Sequence, residues 1–308
     1  MGKFTFGPVP SRRLGFSLGI DIIPRKTCTF DCIYCQVGKT TNQELSRKSF
    51  FNPDEIVEEI ITVTKDITYI DHITFSGSGE PTLNSDIGWI IREVKKRTDI
   101  PVAVITNSSL LSIEDVRNDI GIADAVLPSL DAVSEGIFQY INKPHSLIGI
   151  NTIIEGIKKF STNYKGKIWL EIMLIKGINT STGELEKFKK IAEYLGVEKV
   201  QLNTIIRPPI DRKISGLTSE ELDKISEYFG ESTEVICDFT KKVERKKEAN
   251  WSEMVMEILK RRSLTLSDIV KITGIPENVA IKTLKLMEDE GNIKRVNVDS
   301  KIFYIIND

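Results

Sequence analysis

From about Leu18 to about Phe239 the chain alternates short apolar runs with segments of helical period. That alternation leaves few architectures open, because a strand followed by an amphipathic helix adds one βα unit at a time to a parallel sheet. Six strands are expected, at Leu18 to Ile23, Ile70 to Phe75, Val102 to Thr106, Ala125 to Leu130, Ile168 to Ile175 and Lys199 to Asn203, with a further candidate at Glu234 to Asp238. Between them lie helical stretches such as Pro53 to Lys65, with Asn52 as its cap and Pro in its first turn, and Asp86 to Arg97. No glycine-rich dinucleotide fingerprint opens the first βα unit, so an α/β fold of the partial (β/α) barrel kind is expected rather than a Rossmann sheet. Chemistry in such a fold sits on loops at the carboxyl ends of the strands.

The barrel is expected to occupy residues 1–240. Lys241 to Glu248, with five Lys or Arg against two Glu, reads as part of a charged linker over 241–250. A second module is expected over 251–308. Trp251 to Arg261, Leu266 to Thr273 and Glu277 to Glu290 are helical, with Gly274-Ile275-Pro276 as the break before the third, and Ile293 to Val298 and Ile302 to Ile306 flank Asp299-Ser300 as a hairpin. Three helices and a hairpin resemble a winged helix-turn-helix. This module carries nine Lys or Arg and nine Asp or Glu. Nucleic-acid binding, through Lys282, Lys285, Lys294 and Arg295, therefore stands beside peptide docking and dimerisation as a reading of it.

The formal charge of -2 over 308 residues gives no field that would draw the whole protein to nucleic acid or lipid. No run is long and apolar enough to span a bilayer, and the first residues lack the apolar core of a secretion signal, so a cytoplasmic protein without a membrane partner is expected. Three of its four cysteines crowd into one loop and Cys237 stands far away, which is no disulfide framework.

That loop is the chemical signal. A cubane cluster is small, and Cys28-Thr-Phe-Asp-Cys32-Ile-Tyr-Cys35 lets three thiolates reach three of its irons from one tight turn, leaving the fourth iron open to an outside molecule. The competing reading is a structural zinc site completed by Cys237 or His72; such sites usually pair Cys-x-x-Cys units from two places. The Cys-x3-Cys-x2-Cys spacing with aromatic Tyr34 before the last cysteine resembles the radical S-adenosylmethionine superfamily. The resemblance implies one 4Fe-4S cluster and S-adenosyl-L-methionine bound to its open iron. A one-electron reductant of flavodoxin or ferredoxin type is implied too, as is a 5'-deoxyadenosyl radical that takes hydrogen from a substrate.

Carried over residue by residue, the resemblance extends to Phe75-Ser76-Gly77-Ser78-Gly79-Glu80-Pro81-Thr82, which is similar to the family's Gly-Gly-Glu-Pro motif with Ser78 in place of the first glycine. Gly77, Ser78, Gly79 and Glu80 would meet the amino group of the cofactor's methionine. Thr106 and Asn107 after the third strand, and Ser129 and Asp131 after the fourth, would add polar contacts to its carboxylate and ribose. Tyr34 would pack beside cluster and adenosine. Read alone, Tyr34 is also a core aromatic, the Ser/Gly run a turn, and Asn107 and Asp131 helix caps. Later strands offer Glu171, Met173, Lys176, Asn203 and then Arg207-Pro208-Pro209, where Arg207 is an anion anchor or a solvent-facing arginine. His72, His145 and Cys237 read as structural.

The run Gly7-Pro-Val-Pro-Ser11-Arg12-Arg13-Leu14-Gly15 resembles radical enzymes related to the wyosine-forming, tRNA-modifying proteins. Those carry a second cluster on N-terminal cysteines, and residues 1–27 contain none, so wyosine chemistry is not carried over. The expected function is a radical enzyme acting on tRNA, a peptide or a protein delivered by the winged module. The rival expectation is a redox-sensing winged-helix transcription regulator.

Overall fold

The computed structural model describes residues 2–67, 69–236, 251–298 and 301–307; the expected linker, Cys237 and the Asp299-Ser300 turn lie outside them. In chain order the N-terminal elements are β1 (Thr5–Ser11), β2 (Gly15–Ile20), β3 (Thr27–Cys28), β4 (Asn42–Gln43), α1 (Pro53–Asp66), β5 (His72–Phe75), α2 (Ile87–Arg97), β6 (Val102–Thr106), α3 (Glu114–Ile120) and β7 (Ala125–Pro128). They continue with α4 (Glu135–Asn142), α5 (Ile150–Asn163), β8 (Lys167–Leu174), α6 (Thr182–Leu195), β9 (Lys199–Thr204), α7 (Ser219–Phe229) and β10 (Thr233–Val235). Eight strands form one sheet in the order β1-β2-β5-β6-β7-β8-β9-β10. All neighbours run parallel except β1, which pairs antiparallel with β2. The edges β1 and β10 do not pair with each other, so the sheet is open, as a partial barrel requires.

The strand β1 is a correction. The Gly7 to Gly15 run was expected to precede the first strand, yet Thr5–Ser11 is itself a strand and turns at Arg12 to Leu14 into β2. Pro8 and Pro10 are tolerated because β1 is an edge, where a missing N–H costs no ladder hydrogen bond.

Period-two alternation divides each central strand between two environments. Leu18 and Ile20, Ile73 and Phe75, Val102 and Val104, Leu170 and Ile172, and Val200 and Leu202 are buried in the core shared with the helices. That core takes the apolar face of α1 (Ile56, Val57, Ile60, Ile61) and of α2 (Ile87, Ile90, Ile91, Val94). Asn52 starts α1 by accepting the Asp54 amide at 2.9 Å. The opposite parity is mostly small or polar: Ser17, Gly19, Thr74, Ser76, Glu171 and Asn203, with Met173, line a cavity. A separate apolar plug of Leu14, Ala103, Ala125 and Leu127 packs on the same inner side.

The C-terminal segment contains α8 (Trp251–Leu259), β11 (Leu264–Thr265), α9 (Leu266–Thr273), α10 (Glu277–Asp289), β12 (Ile293–Val298) and β13 (Lys301–Ile306). Its strands form an antiparallel sheet in the order β11-β13-β12. Thr265 and Asp268 close a capping box on α9, and Gly274 at φ 67 ends it in the left-handed region. Buried contacts join this segment to β1. Phe6 and Val9 of β1 share one buried cluster with Val255, Ile258, Leu259, Ile269 and Leu284. Arg262 Nη1 donates to the Pro10 carbonyl at 3.3 Å, and Arg207 Nη1 to the Ser263 carbonyl at 2.8 Å. The segment covers the edge strand, a usual answer to an otherwise open sheet edge.

Candidate active site

A cavity of about 390 Å³ opens at the carboxyl ends of the parallel strands. All three cysteines of the loop line it, and all three are free thiols. The loop is held in place from two sides. The Lys26 amide donates to the Ser78 carbonyl at 2.9 Å and the Glu80 amide to the Thr27 carbonyl at 3.3 Å, while the Ile33 amide donates to the Ile141 carbonyl at 2.9 Å. Two side-chain amides reach sulfur: Asn107 Nδ2 lies 3.6 Å from Cys28 Sγ and Asn142 Nδ2 3.5 Å from Cys32 Sγ. Backbone amides of Thr29 and Phe30 face Cys28, and those of Val37 and Gly38 face Cys35.

Burial pushes all three thiols up, Cys28 to about 12 with the Glu80 charge adding to it, and Cys32 well above its ordinary value beside Asp131. Left to themselves they are protonated at neutral pH. A bound cation draws such protons off, and the amides aimed at sulfur then stabilise the thiolates. The donor set thus fits an iron-sulfur cluster. Among the described residues no three His, Cys, Asp or Glu side chains form a site for a single ion. The zinc alternative also loses His72, whose Nδ1 lies 2.9 Å from the Leu14 carbonyl at the start of β5, the other end of the strand.

The run after β5 wraps against the cysteine loop. A Cβ on Gly79 would stand 1.8 Å from the Thr27 carbonyl oxygen, and Gly77 has φ 145 with Asp21 beneath it, so both positions demand glycine. Asp21, one residue beyond β2, accepts from the Ser78 amide at 3.2 Å and from the Ser78 hydroxyl. Glu80 is buried, and its carboxylate already has four protein donors. These are Thr82 N (3.1 Å), Thr82 Oγ1 (2.6 Å), Thr106 Oγ1 (2.7 Å) and Asn107 N (2.8 Å). Burial still outweighs them and raises its carboxyl above the usual range. The residue that looks like a ligand contact therefore also ties the β5 and β6 loops together.

Beyond β7, Asp131 is buried, accepting from Tyr34 Oη at 2.5 Å, Asn142 Nδ2 at 2.7 Å and the Met173 amide at 3.2 Å. The Ser129 carbonyl accepts from Ser108 Oγ at 2.9 Å. Tyr34, Gly77, Gly79, Glu80, Thr106, Asn107, Ser129, Asp131 and Arg207 all line the cavity with the cysteines, whereas Ser78 is turned toward Asp21.

The opposite wall was not anticipated. Arg12 and Arg13 from the β1–β2 turn and Arg261 and Arg262 after α8 line the same cavity as Arg207. Arg13 forms an ion pair with buried Glu171. Glu171 Oε1 accepts from Asn203 Nδ2 at 2.7 Å, and Asn203 Oδ1 accepts from Arg12 Nη1 at 2.8 Å. Arg261 Nε donates to Asp21 Oδ2 at 3.0 Å. Asp21, Asn142 and these arginines carry no spacing signal, because the partners that bring them to the cavity, such as Arg261 for Asp21, Cys32 for Asn142 and Asn203 for Arg12, stand more than a hundred positions away.

The Radical SAM superfamily model matches residues 22–193, more than half of the chain. A UPF0026 protein of Methanocaldococcus jannaschii is 39% identical over 312 residues, covering 98% of this chain and 96% of that protein. A protein of Brachyspira hyodysenteriae named GTPase Obg is 38% identical over 309 residues; the match takes in 99% of this chain but spans only 45% of that protein's length. Among solved structures, that of TYW1 with a lysine-pyruvate adduct bound superposes with a TM-score of 0.55 at 19% identity, over 73% of this chain and 75% of that one. Members of the superfamily use a 4Fe-4S cluster with S-adenosylmethionine and generally need a reductant. A transcription regulator finds no support in these relationships. No helix among the described residues is long and apolar enough to cross a membrane. The cysteine loop, the sheet that carries it and these matches together identify the chain as an enzyme of the radical SAM superfamily, akin to the UPF0026 proteins.

Proposed function

We propose that the cavity is the active site in which Cys28, Cys32 and Cys35 hold the cluster and the Gly77 to Glu80 edge, Thr106, Asn107, Ser129 and Asp131 surround the cofactor. The observation that carries this reading is that residues from five separate βα units meet the three thiols in one cavity. When bound, cluster and cofactor supply one-electron cleavage of a sulfonium and a carbon radical able to remove hydrogen from a substrate. The chain's own part is positioning and exclusion of water. Glu80 locks the β5 and β6 loops against each other, and Tyr34 and Asn142 lock the cysteine loop to Asp131. Arg207 stands on the substrate side, tied to the C-terminal segment through the Ser263 carbonyl.

The order α8-β11-α9-α10-β12-β13 supports reading the C-terminal segment as a winged helix-turn-helix, and the role proposed for it is to form a wall of the cavity through Arg261 and Arg262. Two of the four basic residues on which a nucleic-acid grip would depend already face carboxylates. Lys285 Nζ lies 2.8 Å from Asp289, and Arg295 Nε 2.8 Å from Glu288. That favours the wall over a nucleic-acid reader. The test is anaerobic reconstitution with iron and sulfide, followed by chemical reduction with S-adenosylmethionine. Release of 5'-deoxyadenosine and methionine is expected; cluster-loaded protein that releases neither would overturn the reading.

A further inference from the structure

The five arginines of the cavity are not equally provided with acceptors. Arg13 has Glu171, and Arg261 has Asp21 and, at 3.4 Å, Glu257. Arg12 donates to Asn203 and Arg207 to the Ser263 carbonyl. Among the described residues Arg262 spends only Nη1, on the Pro10 carbonyl at 3.3 Å; its Nε and Nη2 are buried with no acceptor there. Asp268 attracts the guanidinium and its Oδ2 accepts the Thr265 amide in the cap of α9, without a hydrogen bond from Arg262. The neighbouring Ser263 hydroxyl is likewise buried without a partner among the described residues.

Buried donors almost always have acceptors, since one left bare loses its water and gains nothing. Nε and Nη2 form one edge of the guanidinium, a pair of parallel N–H groups spaced for two oxygens of a single carboxylate or phosphate. We propose that this cavity contains an oxyanion subsite, built where β1 meets the C-terminal segment, in which the Nε–Nη2 edge of Arg262 grips a phosphate or carboxylate carried by the substrate. Arg12 and Arg207 add positive charge on either side. The assignment rests on the cavity being the active site. Burial and the nearby Arg12 charge hold the Arg262 guanidinium down at about 10, which is the direction an added anion would reverse.

The test uses the full chain, first without cluster, titrated by calorimetry with inorganic phosphate and separately with acetate, against chloride at equal ionic strength. Saturable binding of one of them beyond chloride is expected, and which one binds tells a phosphate-bearing from a carboxylate-bearing substrate. Arg262→Gln should weaken that binding by roughly 10- to 100-fold, the value of a lost charge-assisted pair. Arg262→Lys, which keeps the charge but not the fork, should fold and still bind several-fold more weakly, so a poorly folding glutamine variant leaves the test intact. No binding beyond chloride overturns the subsite, as does unchanged anion affinity in both variants. Cluster-loaded protein is then titrated with S-adenosylmethionine in the presence of the anion. Displacement of the anion would assign Arg262 to the cofactor's own carboxylate and overturn the substrate assignment. Failure of the cofactor to bind while the anion still does would instead sink the proposed function and leave the subsite standing.

Discussion

Arg261 Nε donates to Asp21 Oδ2 at 3.0 Å across 240 positions of sequence, and the same carboxylate oxygen accepts from the Ser78 amide and hydroxyl. Asp21 is buried and the Arg261 side chain largely so, at 5% and 11% exposure. One side chain of the C-terminal segment thereby steadies the Gly77 to Glu80 edge. Removing one member of a buried pair leaves the other charge uncompensated, so Arg261→Met should destabilise the protein by about 3–5 kcal/mol. Adding Asp21→Asn should restore part of that loss. Denaturant unfolding of the single and double variants checks it; additive losses would deny the coupling.

A chain ending before residue 251 should lose more than a substrate-delivery module. Phe6 and Val9 would be stripped of their buried partners, Asp21 of its guanidinium, and β1 of its cover. Lower melting temperature and weaker S-adenosylmethionine binding are expected than for the full chain. A truncated protein matching it in both measurements would show the segment to be independent.

Replacing any one of Cys28, Cys32 and Cys35 with Ala should abolish binding of the expected complement of about four irons and four sulfides per chain. Cys237→Ala should leave it intact. Iron and acid-labile sulfide analysis after anaerobic purification decides, and an iron complement that falls with Cys237 would contradict the single-cluster site.

Glu80→Ala should act in two ways at once. It orphans donors on Thr82, Thr106 and Asn107, each bare buried group costing about 1–3 kcal/mol, and it loosens the contact between the β5 and β6 loops. Lower stability together with weaker cofactor binding is expected, with Glu80→Gln falling between. Full stability with lost cofactor affinity would mean that Glu80 serves the ligand alone.

Asn107→Leu and Asn142→Leu each remove an amide aimed at a cysteine sulfur, Cys28 or Cys32, that the proposed function makes a cluster ligand. Hydrogen bonds to sulfur favour the more negative, reduced cluster, so both variants should shift its potential downward. Redox titration followed by electron paramagnetic resonance measures this. Unchanged potentials would confine the two amides to their oxygen partners, Thr29 Oγ1 at 2.7 Å from Asn107 Nδ2 and Asp131 Oδ2 at 2.7 Å from Asn142 Nδ2.

The local pattern was enough for most of the sheet and for singling out the cysteine loop that lines the cavity. Strands at Val102 to Thr106 and Lys199 to Asn203, helices from Pro53 and Leu266, and the Cys28, Cys32, Cys35 spacing all depend on short-range constraints: side-chain parity, caps, and one tight turn. β1 escaped because its two prolines argue against a strand until it is known to lie at an edge. What only the tertiary structure decided is the other half of the cavity. Glu80 reads as a ligand or part of a turn and Asp131 as a ligand or cap, yet each is also held by several protein donors. Arg12, Arg13, Arg207, Arg261 and Arg262 come from three distant stretches and meet only because the C-terminal helices bury the edge of β1. Periodicity records which face of an element is apolar, but not which two faces will meet, and pairings such as Arg261 with Asp21 exist only once they have.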